Sequence, residues 1–171
     1  GHELEENESY TYGQRMTRAL VDHPIELYKD EKQKEIIIQE IDTLLELGII
    51  EKKVVFGTVT GIATTMLDGQ PAMIKNCTIT TTKDMYYVNQ IDLIVWLYQN
   101  KGHRNNQTVL QIANPTDLLL QDPPCLRQIQ VRIQDGKLHF FVYFRSWDLY
   151  NGFPANLGAL QIMKAYMAEM I

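Results

Sequence analysis

Two cysteines in 171 residues are too few for a disulfide framework. Four histidines, scattered along the chain, fall in no metal-ligand spacing with them. No apolar run approaches the ~20 residues of a membrane-spanning helix, and no export-signal pattern opens the sequence. The expected setting is therefore a reducing, cytoplasmic one, in which Asn76-Cys77-Thr78 fits the glycosylation pattern without meaning. Positive charge is also scarce. Sixteen Lys and Arg against 21 Asp and Glu give a net charge of −5. That balance argues against nucleic acid and anionic membrane as general partners, while leaving room for a local basic pocket. Low-complexity tracts, internal repeats and linkers are missing too. A hydrophobic content of 45% over this length suits one domain, residues 1–171, with a real core.

What is present alternates between helical and strand texture. Tyr10-Thr11-Tyr12-Gly13-Gln14-Arg15 reads as a surface turn, or as a pocket wall offering a hydroxyl and a cation. Past a break at Asp22-His23-Pro24, Ile37, Ile38, Ile41, Leu44 and Leu45 recur at helical spacing between Glu31 and Leu47, and Gly48 ends the helix. Val54–Leu67 and Ala72–Thr82 are β-branched runs joined by Asp68-Gly69, a hairpin signature. Cys77 sits in the second run and reads as a buried, inert thiol. Ile91, Ile94, Val95, Leu97 and Tyr98 predict a second helix, capped by Asn89 and stopped by Gly102. A polar loop with Arg104 leads to a short strand over Thr108–Ala113. The last helix is expected from about Ala155 to the end, with Leu157, Leu160, Met163, Met167 and Met170 as its apolar stripe. The fold class is α+β.

The stretch Pro123–Asn156 gathers chemistry. Cys125 follows a rigid Pro-Pro and opens the strand Leu126–Gln134, in which Ile129, Val131 and Ile133 share a face. Asp135-Gly136 turns the chain into Leu138–Phe144, which ends in Arg145-Ser146-Trp147-Asp148. If that turn sets the register, Cys125 and Arg145 meet across the hairpin. A guanidinium near a thiol favours thiolate, the reactive form. Arg145 and Ser146 at a strand end also suit an anion. The ordinary readings are a buried small hydrophobe for Cys125, a surface salt bridge for Arg145, a turn residue for Asp148 and a helix cap for Asn156.

Together these residues resemble the thymidylate synthase family, in its archaeal form. The resemblance is carried by Pro124-Cys125, the DGKL turn at Asp135–Leu138, Phe144-Arg145-Ser146-Trp147-Asp148-Leu149 and Gly152-Phe153-Pro154-Ala155-Asn156, with Tyr12-Gly13-Gln14-Arg15 upstream. The family implies a mixed sheet flanked by helices and a homodimer formed through that sheet. It implies that Cys125 attacks C6 of dUMP, with 5,10-methylenetetrahydrofolate as the one-carbon and hydride donor. By the same resemblance Arg145 and Ser146 hold the nucleotide phosphate. Asn156 reads the uracil edge, for which an amide has both a donor and an acceptor. Asp148 and Gly152 face the folate, and Tyr12 lines the cavity. No metal is implied.

The departures are specific. Where the family grips the phosphate with two arginines from across the dimer, this chain has Asn106-Gln107. Arg104 is the nearest cation, two residues off, which in a strand would keep its facing but move it roughly 7 Å. The upstream glutamate-tryptophan region and the downstream histidine-tyrosine segment have no counterpart, so a truncated relative is expected. Residues 21–88 match nothing in the family pattern and read as an expansion. Alongside thymidylate synthase, two readings stay open. One is a nucleotide hydroxymethylase, against which Asn156 speaks for cytidylate. The other is a non-catalytic relative that binds a pyrimidine nucleotide.

Overall fold

The computed structural model describes residues 12–21 and 30–171; over 59–67, 71–77 and 79 it describes the backbone alone. The readings made for Cys77 and for the break at Asp22-His23-Pro24 lie outside those descriptions. The chain falls into two compact units, one from residues up to Ala19 together with Val88–Ile171, the other Leu20–Tyr87.

In the second unit, helix α2 (Glu31–Glu46) starts on Asp30, whose side chain accepts from the Lys32 N–H. Leu44 is its buried residue, and Gly48 at φ +71° lets the chain reverse. Strands β2 (Ile50–Leu67) and β3 (Gln70–Val88) then form one long hairpin, and β3 lies between β2 and the short β1 (Ala19–Val21). Asp68 and Gly69 adopt φ of +49° and +78° at the turn. Two consecutive positive φ values make the primed turn whose twist matches antiparallel strands, which is why Asp-Gly predicts it.

The first unit carries Tyr12, Cys125, Arg145 and Asn156. Its helices are α1 (Tyr12–Thr17), α3 (Gln90–Lys101) and α4 (Gly152–Met170), and its strands are β4 (Val109–Gln111), β5 (Leu126–Gln134) and β6 (Lys137–Phe144). A 3-10 turn at Pro115–Leu119 links β4 towards β5. The sheet order is β4-β5-β6 and both pairings are antiparallel, a correction to the mixed sheet that the resemblance implies. Gly136 (φ +66°) and Asp135 (φ +50°) repeat the primed turn of the first hairpin. Ile129, Val131, Leu110, Ile112, Tyr98 and Met167 are fully buried, with Met16, Ile94, Val95 and Leu126 completing the core. The apolar face of β5 against α3, α1 and α4 is thus what holds the unit together.

Two elements differ from the sequence reading. The Tyr12–Arg15 segment is a helix rather than a turn, with Met16 buried and Tyr12 packed on the core. The α4 stripe runs through Leu160, Met163, Met167 and Ile171, while Leu157 and Met170 are half exposed. The residues that touch the core follow strict three- and four-residue steps, and Leu157 and Met170 sit on the rim of that arc. The α4 start is at Gly152, not Ala155.

Buried polar groups are satisfied in clusters. The hydroxyls of Tyr98 and Thr108 lie 2.7 Å apart, and both are within hydrogen-bond reach of the Val131 carbonyl. Gln90 extends the edge of β4: its Oε1 accepts from the Gln111 N–H, and its Nε2 donates to the carbonyls of Gln111 and Arg15. The most consequential cluster surrounds Asp117, whose side chain is 1% exposed. It accepts both arms of the Arg15 guanidinium at 2.9 Å, Nη1 of Arg127 at 3.3 Å and the Asn114 N–H at 2.9 Å. Burial works against its ionisation, but the Arg15 fork, the Asn114 N–H and the charge of both arginines outweigh it, so the carboxyl is held below its ordinary range.

Because that folded-state value is depressed, the stabilisation from Asp117 is whole above the ordinary carboxylate pKa of about 3.9 and is lost as pH falls through the folded value. Asp117→Asn is expected to cost about 3–5 kcal/mol near neutrality, since it leaves two poorly solvated arginines facing a neutral amide. Thermal unfolding across pH checks this. The gap between parent and variant should be widest near neutrality and should narrow once pH drops below about 3.9.

Candidate active site

Antiparallel pairing outward from the Asp135-Gly136 turn matches Ile133 with Leu138, Ile129 with Val142 and Leu126 with Phe144. The next step along both strands brings Cys125 opposite Arg145, and the Arg145 N–H donates to the Cys125 carbonyl at 2.9 Å. The register argument therefore delivers the two residues to one place. Cys125 is half-buried there.

What the guanidinium does is different from the expectation of a cation beside the thiol. Arg145 Nε and Nη2 donate to the Pro123 carbonyl at 3.1 and 2.6 Å, and Nη2 also pairs with Asp122 at 2.6 Å. Arg145 is joined to Cys125 through the backbone, and its fork is turned towards the preceding loop. Asp122 is 92% exposed, so this is a solvent-facing ion pair of small worth.

Beyond Arg145 the chain runs through Ser146, which is exposed, to Trp147. The Trp147 ring stacks on Phe144 at 4.2 Å and meets Phe153 edge-on at 4.5 Å. That sandwich fastens the end of β6 to the start of α4. Asp148 then starts the helix. Its Oδ1 accepts from the N–H groups of Tyr150 and Asn151, and its carbonyl accepts from Gly152 and Phe153. The Asn151 and Tyr150 N–H groups, followed by the Asn151 amide, hold the exposed Asp148 carboxyl below the usual range. Asp148 is thus the turn residue that the plain reading expects, whatever else it contacts. Asn156 is not a cap, because it lies inside the first turns of α4. A Cβ placed on Gly152 would sit 3.5 Å from Asp148 Cβ and 3.7 Å from Asn156 Nδ2, so these three residues converge at the head of the helix.

Tyr12 is half-buried against the core cluster from α1. Arg104, Asn106 and Gln107 are exposed in the loop before β4. The inference that Arg104 keeps a strand facing does not hold, since strand pairing begins only at Val109. A shallow concavity of about 440 Å³, lined by Gln130, Arg132, Ile133, Gln134 and Phe141, lies towards the Asp135-Gly136 turn, at the other end of the hairpin from Cys125. Among the described residues no cluster of three His, Cys, Asp or Glu could hold a metal. No described helix is long and apolar enough to cross a membrane.

The sequence reading gives no role to Asp122, Asp117 or Arg127. Arg127 occupies a bulge: Leu126 pairs with Phe144 and Gln128 with Tyr143, which leaves Arg127 as the extra residue. A signal was available, because Leu126 and Ile129 are both core residues yet three apart, an odd step that a regular strand cannot bury on one face.

A family model described as thymidylate synthase matches residues 56–171. A protein of Methanosarcina barkeri provisionally named a thymidylate synthase is 35% identical over 49% of this chain and 39% of its own length. A thymidylate synthase of Symbiobacterium thermophilum is 27% identical over 46% of this chain and 32% of that protein. One from human herpesvirus 8 is 31% identical over 48% and 24%. The chain spans about 39% of the length of the archaeal relatives it matches. By the extent of the family match, and with its α+β architecture, this chain belongs to the thymidylate synthase family.

Proposed function

We propose that the chain carries the nucleophile-bearing part of a thymidylate synthase, a methyltransferase that converts dUMP to dTMP. The thiolate of Cys125 adds to C6 of the uracil ring, which leaves C5 as an enolate-like nucleophile. C5 takes the one-carbon unit of 5,10-methylenetetrahydrofolate. Loss of the C5 proton and cleavage of the bond from the one-carbon unit to the folate nitrogen open an exocyclic methylene. A hydride from the folate reduces it to methyl as the Cys125–C6 bond breaks and dihydrofolate leaves. Arg145 and Ser146 take the phosphate, with Arg104 as the nearest further cation. Asn156 reads the base, Asp148 and Gly152 face the folate, and Tyr12 lines the cavity.

The observation that carries this reading is convergence. Cys125 stands opposite Arg145 at the end of the β5–β6 hairpin, and Asp148, Gly152 and Asn156 meet at the head of α4, which the Trp147 sandwich ties to that same hairpin. Asp122 supports the anion role of Arg145, since an exposed carboxylate already pairs with its Nη2. A phosphate dianion would exchange with it for a stronger bidentate pair. A homodimer through the sheet is supported by Phe141 and Tyr143, which are 61% and 58% exposed on the face of β6 turned away from the core. The setting proposed is cytoplasmic.

A second reading, a non-catalytic relative that binds a pyrimidine nucleotide, is favoured by Asn106-Gln107, where the family has its arginine pair, and by the loop-facing fork of Arg145.

Incubation with 5-fluoro-dUMP and 5,10-methylenetetrahydrofolate, followed by intact mass measurement, separates the two. A covalent adduct that disappears in Cys125→Ser is expected. Saturable nucleotide binding without an adduct would point to the binding protein. Asn156→Asp is expected to move preference from uracil towards cytosine nucleotides, and an unchanged ratio would remove Asn156 from base reading. Phe141→Lys is expected to shift sedimentation from dimer to monomer. A parent that sediments as a monomer at all concentrations tested would dispose of the sheet-mediated dimer.

A further inference from the structure

Pro123 and Pro124 have no N–H, so the approach to Cys125 can be anchored only through carbonyls. All three carbonyls are held. Pro123 O accepts from the Arg145 guanidinium, Pro124 O from Arg127 Nη1 at 3.3 Å, and Cys125 O from the Arg145 N–H. Arg145 thus holds the segment from one side and Arg127 from the other.

Arg127 reaches Pro124 because of the bulge. The extra residue frees its side chain from the in-and-out alternation that Leu126 and Gln128 obey. The bulge is itself pinned, since the N–H groups of Ile112 and Ala113 both donate to the Arg127 carbonyl, at 3.1 and 2.8 Å. The same Nη1 that meets Pro124 also meets buried Asp117, and Asp117 is gripped by Arg15 from α1. Arg15 in addition donates to the Ile112 carbonyl at 2.8 Å. One carboxylate therefore joins α1, the strand exit at Ile112, the 3-10 turn and the bulge, and passes that order to the peptide before Cys125.

We infer that Asp117, Arg15 and Arg127 are positioning residues for Cys125: a buried carboxylate fixes Arg127, and Arg127 fixes the carbonyl next to the thiol-bearing residue. This rests on the proposed role of Cys125 as nucleophile. A 3.3 Å hydrogen bond is weak by itself. Its value lies in being held at its far end, as the partners that orient a reactive group must be.

The test is the rate of Cys125 alkylation by iodoacetamide as a function of pH, read on the Cys125 peptide by mass spectrometry, with added glutathione as internal reference. Arg127→Met should change the Cys125 rate constant by about tenfold or more and move the midpoint of its pH profile, while glutathione keeps its rate. Arg127→Lys keeps the charge without the fork and should fall between parent and Met variant, at a change of about threefold. It carries the test alone if the Met variant loses its cooperative melt. A folded variant of either kind whose Cys125 rate stays within about twofold of the parent, with the same midpoint, would overturn the inference. Alkylation needs no substrate. A moved profile in a protein whose parent forms no 5-fluoro-dUMP adduct would therefore retain the positioning role and discard the catalytic one.

Discussion

The site depends on one constraint, the register of β5 against β6. Asp135 and Gly136 adopt positive φ together, and that turn admits a single antiparallel alignment of the strands it joins. A slip by one residue would turn Ile129 and Val131 out of the core, at a cost that the buried face of β5 cannot absorb. With the register fixed, the two strand ends have no freedom. Cys125 must come to Arg145, and the chain leaving Arg145 must enter α4 beside them.

The segment between Arg145 and α4 is a rigid coupling rather than a loose loop. Aromatic contact through Phe144, Trp147 and Phe153 sets the distance between strand end and helix start, and Asp148 supplies the acceptors that the first free N–H groups of α4 require. The residues a ligand would meet are therefore held by strand pairing, stacking and capping at once. The approach to Cys125 is different in kind. It has no donors of its own and is held from outside by two arginines, one of which answers to a carboxylate buried well away from the hairpin turn.

Much of this was legible in the sequence. Two Asp-Gly pairs between β-branched runs announced two hairpins, and both adopt the turn that the dipeptide favours. Asn89 and Gly102 bracketed α3 as a cap and a stop should, with Asn89 accepting from Ile91 and Asp92 and Gly102 at φ +85°. The features that escaped reading have physical reasons. Helix α1 is six residues long, too short to display a period, and is stabilised by Met16 in the core and by Arg15 on Asp117. The start of α4 is hidden because Gly-Phe-Pro looks like a turn, whereas the Asp148 carbonyl, outside the helix, accepts from its first two N–H groups. The Asp117 cluster joins residues 10 and 102 positions away along the chain. Nothing local to Asp117 marks it as buried. Arg145 was correctly brought to Cys125, but the direction of its fork depends on Asp122 and the Pro123 carbonyl, groups that no pattern assigns.

The Trp147 sandwich also has a spectroscopic consequence. The chain has two indoles, and the other, Trp96, lies on α3 with the Lys101 ammonium 5.9 Å from its ring. Trp147 stacks nearly parallel to Phe144, and its buried Nε1–H meets no acceptor among the described residues. The half-buried indole thus lies between two phenyl rings at the junction that joins the hairpin after Cys125 to the helix carrying Asn156. Any molecule that wedges, tightens or wets that junction changes the polarity around one of only two indoles, so the protein carries an intrinsic optical probe beside the proposed site.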